Sequence, residues 1–185
     1  MIPQGPIYQN IRSTVLSSFP DKCKAGMKNR VTFGDWLLRG MGSYQVQSVL
    51  PREFTIATSP FDISSALLTD VECLTNHCFE QLQELSRFYV DEKPRSQAWS
   101  VVTVYYLGFF TAQALLTLIG SPVIFIDKQH INLIRSLGPS HGASPGAGAY
   151  YLARVNPISP TFAEYTLQKS KHKFMTRYGK GYLIT

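Results

Sequence analysis

Basic and aromatic residues of the kinds that contact nucleic acids are concentrated near the end of the sequence. The basic residues are Lys169, Lys171, Lys173, Arg177 and Lys180, and Phe174, Tyr178 and Tyr182 are interspersed among them. Lysine and arginine neutralise phosphates, and aromatic rings stack on bases. The pattern predicts a nucleic-acid-binding surface. The alternative is the solvated face of a terminal helix.

A glycine-rich loop carries a second group of reactive residue types. Gly138-Pro139-Ser140-His141-Gly142 fits Gly-x-Ser-x-Gly, in which the serine is a nucleophile on a sharp strand-to-helix turn. Glu164 and His172 follow in the order acid, then histidine. That turn needs a strand before it inside a parallel sheet, and here a short amphipathic helix precedes the loop. We therefore do not assign a hydrolase.

Cysteine usage and the remaining motifs bear on compartment and cofactors. Cys23, Cys73 and Cys78 cannot close a disulfide framework and favour the reducing cytoplasm. Cys73 and His77 share a helical face, but no second pair of ligands has suitable spacing, so we expect no metal site. No phosphate-binding or dinucleotide fingerprint is present, and we expect no cofactor. The N-terminal segment lacks the continuous apolar stretch of a signal peptide.

Apolar spacing predicts the elements that must position these residues. Steps of three and four from Ile63 to Tyr89 predict a long helix over 60–90, and a second helix follows at about 95–119, which makes an antiparallel hairpin. Alternation predicts two short strands at 43–50 and 52–59. Further helices are expected at 128–137 and about 161–178. We therefore expect a mainly α single domain of residues 1–185. It comprises an N-terminal extension (1–58) with a small β-hairpin and a helical bundle (59–185) that ends in a basic helix.

The second helix is unusual because it carries no charge. Charged residues make up only 16% of the chain, and the 31 residues between Arg95 and Asp127 contain none. Such a stretch is long enough to span a membrane near 99–120. However, polar residues including Thr103, Gln113 and Thr117 form one stripe along the helix, which suits packing inside a soluble protein better than contact with lipid. We expect a buried core helix, with a membrane span as the alternative.

The net charge of +6 is unevenly distributed along the chain. Residues 1–40 carry +4, residues 41–127 carry −5 and residues 128–185 carry +7. The acidic middle therefore coincides with the helical hairpin, and the two basic flanks are where contact with a polyanion is expected.

The second helix also carries a family resemblance. Val104-Tyr-Tyr-Leu-Gly-Phe-Phe-Thr-Ala-Gln-Ala-Leu-Leu116, preceded by a long amphipathic helix, resembles the core of HEPN domains over about residues 60–120. The resemblance implies a dimerising helical bundle. In many HEPN members it also implies a metal-independent ribonuclease of a toxin or phage-defence system.

The resemblance further implies a catalytic pair, since the family signature is an arginine and a histidine separated by four to six residues. Arg135 and His141 have this spacing. Histidine can move the proton of a ribose 2′-hydroxyl, and arginine can hold the scissile phosphate. The leading hypothesis is thus a HEPN-like ribonuclease. RNA is the partner that this hypothesis implies. The alternatives are a non-catalytic binding or oligomerisation module, as a homodimer or in a larger complex, whose basic tail contacts nucleic acid, and a small single-span membrane protein.

Overall fold

Four helices and five strands are present in the computed structural model, which describes residues 31–39, 42–90, 96–139, 145–159 and 161–170. In chain order they are α1 (Phe33–Arg39), β1 (Gln45–Leu50), β2 (Glu53–Thr58), α2 (Pro60–Val90), α3 (Gln97–Leu118), β3 (Val123–Ile126), α4 (Lys128–Leu137), β4 (Gly148–Ser159) and β5 (Phe162–Lys169). The helices expected at 60–90, 95–119 and 128–137 are confirmed, as is the early β-hairpin.

The strands form one antiparallel sheet in the order β1-β2-β5-β4-β3. The central strand β5 pairs with β2 from Glu53↔Gln168 to Thr58↔Ala163, and with β4 on its other side. Because β2 and β5 are neighbours, the early hairpin lies in the same sheet as strands from the second half of the chain. The pairing of β2 with β5 therefore joins the two halves of the chain.

The hydrophobic core lies between one face of this sheet and the helices. Alternate residues of β2 and β5, including Phe54, Ile56 and Leu167, are fully buried, while Thr55 and Thr166 between them line the open face. The rings of Phe54 and Tyr150 pack with their centroids 5.5 Å apart. From the helical side, α1 contributes Phe33 and Leu37 and α4 contributes Ile134, and all belong to the same cluster.

The expected mainly α bundle is wrong, because a five-stranded antiparallel sheet organises the fold, which is α+β. The clearest single error is the helix predicted over 161–178. Residues Phe162–Lys169 form the central strand β5, and Ala163, Tyr165 and Leu167 face the core at a period of two. The Ser159-Pro160 capping signal suggested a helix, but this short-range signal gives way to pairing with two neighbouring strands. Residues 171–178 lie outside the described part of the chain.

Candidate interaction surface

Helix α2 divides the molecule into two regions. Its buried side chains all lie between Ile63 and Val71, where it packs on the sheet, and none of the side chains described at 72–87 is buried. At 1.5 Å per residue, the later part of α2 extends for about 28 Å alongside α3. We call residues 72–90 together with α3 the helical arm. The body is the sheet, α1, α4 and residues 60–71 of α2.

The buried side chains of α3 at its contact with α2 are small or polar, and beside them the ring of Phe110 packs on that of His77 with centroids 5.1 Å apart. The buried residues of α3 are Thr103, Ala114 and Thr117. The Thr103 hydroxyl donates to the carbonyl of Trp99 (2.9 Å) and the Thr117 hydroxyl to that of Gln113 (2.9 Å), four residues earlier in each case. Since these hydroxyls are satisfied within their own helix, the threonines can present their methyl groups to α2. The polar stripe therefore packs inward, as its spacing indicated.

The opposite side of α3 is large, apolar and exposed. Val101 is 69% exposed, Tyr105 54%, Leu115 56% and Ile119 74%. The expectation of a deeply buried core helix is wrong, because α3 is covered on one side only. The physical reason is that it packs against the far part of α2, and beyond α2 its main contact with the body is β3. A helix with its larger apolar residues outward is inverted relative to an ordinary surface helix.

The exposed residues of α3 have a regular spacing that the sequence-based prediction did not use. Val101, Tyr105, Gly108, Ala112, Leu115 and Ile119 follow one another in steps of four and three, all are exposed, and none is charged. This is the 3.5-residue period of a helix–helix seam. We call these six residues the α3 seam. The heptad spacing was visible in the sequence, but only the structure shows that it points away from the rest of the chain.

The exposed apolar area of this segment is larger than a monomer usually presents. Eight of the exposed large apolar side chains lie between Trp99 and Ile119. At roughly 100 Å² each they present about 800 Å², whereas the largest apolar patch of a typical monomer is about 300–600 Å². Among the described residues, α3 is the one helix long and apolar enough to cross a membrane, although its length and composition alone do not establish that it does.

The expected catalytic pair is described only in part. Arg135 lies in the last turn of α4 and is exposed, whereas His141 lies outside the described residues. Gly138 ends α4 and lies against Val46 and Val49 of β1, which fixes where the chain leaves the helix. The ribonuclease hypothesis stays a prediction. Metal-free RNA cleavage that is lost in both Arg135→Ala and His141→Ala, with folding intact, would support it.

The predicted nucleic-acid-binding residues are also mostly outside the described chain. Of the five, Lys169 is described and ends β5, with its amino group beside Gly146, while Lys171, Lys173, Arg177 and Lys180 are not described. Lys169 is therefore on a strand rather than on the expected helix. RNA binding by this segment stays a prediction.

His130 joins two elements of the body. Asp127 caps α4 by accepting hydrogen bonds from the backbone N–H of Gln129 and His130, and its carboxylate also lies 2.6 Å from Nδ1 of His130. The other ring nitrogen, Nε2, donates to the carbonyl of Gly34 (3.1 Å). Desolvation works against the Asp127 carboxylate, but these hydrogen bonds and the positive charge of His130 lower its pKa overall. Because both nitrogens are engaged, His130 serves to hold α4 against α1.

Asp70 is a partly buried carboxylate of the body, next to the start of the helical arm. Both of its oxygens accept from the backbone N–H of Phe33 at 3.3 Å, at the first residue of α1. Its pKa is raised to about 7, chiefly because burial disfavours the charged form and to a smaller extent because Asp35 is near, while the hydrogen bond from Phe33 opposes the rise. A proton on Asp70 is thus coupled to the packing of α1 on α2.

The open face of the sheet holds a cleft of about 670 Å³. Its lining includes Gln47, Thr55, Arg154 and Glu164. Glu164 already accepts a hydrogen bond from Asn156 (3.1 Å), and Thr55 and Thr166 bond to each other (3.1 Å). No group of three or more potential metal ligands occurs among the described residues. The cleft therefore offers polar side chains that bond to one another rather than groups converging on a reacting atom.

Comparison with known proteins leaves the function to be argued from this geometry. No protein-family model, curated protein or solved structure matches the chain.

Proposed function

We propose that this protein is an interaction module, in which the body carries the helical arm and α3 docks onto a protein partner. The observation that carries the proposal is the inverted character of α3. The side chains that it buries are small or polar, and of its large residues Phe110 packs on α2, while Val101, Tyr105 and Leu115 face outward without cover. Burying such side chains contributes about 25 cal/mol per Å² of apolar area, so a covered α3 face is strongly favoured over an exposed one.

A protein partner fits the helical arm better than a lipid bilayer does. Helix α3 is about 33 Å long, enough to span a hydrocarbon core. However, α2 packs along it and brings Glu80, Glu84 and Arg87 to the same depth. Each charged residue near the centre of a bilayer costs about 2.5–3.5 kcal/mol or more. A protein surface can cover the α3 seam and leave the charged side of α2 in water.

A photo-activated cross-linking residue in living cells tests the proposal. We would place it at Tyr105 on the α3 seam and, in a second strain, at Tyr151, a 37% exposed tyrosine on the sheet. We expect a discrete protein adduct from position 105 and none from position 151, because only the former face is docked. Adducts with phospholipid alone, or no adduct from position 105, would contradict the proposed function.

A further inference from the structure

We infer that the partner of the α3 seam is a second copy of this chain, bound in an antiparallel, two-fold symmetric arrangement. The inference rests on the proposed function, because it names the occupant of the same surface. Three independent features of the described residues support it: the order of side-chain sizes along the seam, the glycine at its centre, and the area it offers.

The seam has the same order of side-chain sizes when it is read in either direction. Its six residues are symmetric about position 110, so that Val101 corresponds to Ile119, Tyr105 to Leu115 and Gly108 to Ala112. A two-fold interface requires this property, since residue i on one copy meets residue j on the other and j meets i. In the antiparallel arrangement the large residues meet at both ends, and the small residues meet at the axis.

The glycine at the centre has no explanation within one copy. A Cβ added to Gly108 would meet nothing within 4 Å, so the chain's own packing does not require glycine there. Glycine inside a helix is destabilising by roughly 0.5–1 kcal/mol relative to alanine. A second helix that crosses α3 at Gly108 and Ala112 gives this residue a function, because small residues let two backbones approach closely.

The area and charge of the surface also fit a dimer. The eight exposed apolar side chains between Trp99 and Ile119, four of which belong to the α3 seam, offer about 800 Å² per copy, so complete burial of both sets would cover about 1,600 Å², the size of a standard stable interface. The α3 seam has no charge, so no unpaired ion is buried, and the two acidic α2 helices would remain on the outer sides of a four-helix arrangement. Two such helical hairpins would together enclose what each leaves exposed.

The first experiment measures the mass of the purified full chain by light scattering over about a hundredfold dilution. We expect a dimer at the higher concentrations that dissociates on dilution. Gly108→Leu should raise the dissociation constant at least about tenfold, since it adds bulk where the backbones meet, at a position where an added Cβ meets nothing within 4 Å in its own chain. Leu50→Lys, at a 46% exposed leucine of β1, is the matched control for Leu115→Lys and should leave the mass unchanged.

A charge-pair experiment tests the antiparallel pairing. Tyr105→Glu and Leu115→Lys should each dissociate the dimer when studied alone. Mixed together, they should form a heterodimer, because the antiparallel arrangement places the new glutamate opposite the new lysine. A parallel arrangement would place the glutamate opposite tyrosine and would restore nothing. Circular dichroism of each variant confirms that the fold is retained.

The outcomes separate this inference from the proposed function. A monomer at every concentration, or a dimer that is insensitive to Gly108→Leu and to both charged variants, overturns self-association through α3. Flotation of the chain with phosphatidylcholine vesicles also overturns self-association through α3. If the chain is monomeric and position 105 cross-links a different protein in cells, the second copy is excluded while the docking function stands. If position 105 cross-links no protein at all, both fail.

Discussion

In the body of this protein the largest fully buried side chains are apolar or aromatic, whereas in α3 of the helical arm the buried side chains are small or polar. Phe54, Ile56 and Tyr150 are fully buried in the body. In the arm, Thr103 and Thr117 are buried while Tyr105 and Leu115 are exposed. The body therefore encloses its large apolar side chains within one copy, whereas the arm leaves several of its own exposed, as the proposed docking requires.

The largest expected effect is the difference between the two regions in the free energy of unfolding that is lost when a side chain is truncated. Phe54→Ala should lower the free energy of unfolding by about 3–5 kcal/mol, because it leaves a cavity against Tyr150. Leu115→Ala, in the dissociated chain, should change it by no more than about 0.5 kcal/mol, because the side chain is exposed there. Denaturant unfolding at low protein concentration measures both. Equal losses would show that the arm is part of the core.

The second prediction concerns Asp70, where the two regions meet. Its pKa is about 7 in the folded protein against an ordinary value of 3.8, so the folded state holds a proton that the unfolded chain has released. This stabilisation is complete below about pH 4 and is lost as the pH rises to about 7. Asp70→Asn keeps an oxygen for the backbone N–H of Phe33 but removes the titration. Its free energy of unfolding should exceed that of the native chain on the order of 2 kcal/mol at pH 8.

Unfolding curves measured between pH 3 and pH 8 check this prediction. The difference between Asp70→Asn and the native chain should grow with pH and level off above about pH 7. Two curves that stay parallel over the whole range would mean that no proton on Asp70 is coupled to the packing of α1 on α2.

The third prediction tests how tightly the body is packed at the end of α4. Gly138→Ala would place its Cβ 2.7 Å from Cγ2 of Val49 and 3.1 Å from Cγ1 of Val46. We expect a loss of about 1–3 kcal/mol in the free energy of unfolding, since these neighbours are held in the core. Adding Val49→Ala should reduce the cost of Gly138→Ala, and a double-mutant cycle measures this coupling. Additive losses would contradict the proposed clash.

The smallest expected effect is that of a glycine-to-alanine substitution in the arm, which should stabilise the chain, whereas Gly138→Ala destabilises it. Gly108→Ala meets nothing within 4 Å in its own chain and improves helix propensity. The dissociated chain should therefore be stabilised by about 0.5–1 kcal/mol. Thermal unfolding of the dilute chain measures this gain. A loss of stability would mean that Gly108 is needed inside one copy, which would remove one of the reasons for expecting a partner.

Local signals in the sequence predicted the helices and the first hairpin well. The apolar period from Ile63 onward, the Ser59-Pro60 start and the alternation at 43–50 depend on neighbours along the chain, and the structure confirms those elements. Strand β5 was missed because its position depends on residues far away, with Leu167 opposite Phe54 and Leu152. The overall fold depended on that strand, so the predicted architecture failed with it.

The candidate site was predicted unevenly for a similar reason. The polar stripe of α3 was read from its spacing, and the structure confirms that it packs inward. Whether the other side of α3 is covered depends on how far α2 extends beyond the sheet, and no pattern within α3 contains that information. The lack of charge in α3 was visible in the sequence. It led to the prediction of a buried core helix, whereas the structure shows that one face of this helix is uncovered.

Hydroxyl-radical footprinting of the purified chain, free of lipid and detergent, tests the central claim most directly. Within a single copy Tyr105 is more exposed than Tyr151, at 54% against 37%. When α3 is covered by its partner, Tyr105 should be labelled more slowly than Tyr151, and dilution should reverse the order. If Tyr105 is labelled faster than Tyr151 at every concentration, the outward face of α3 is open, and the account of the arm as a surface completed by a second copy is contradicted.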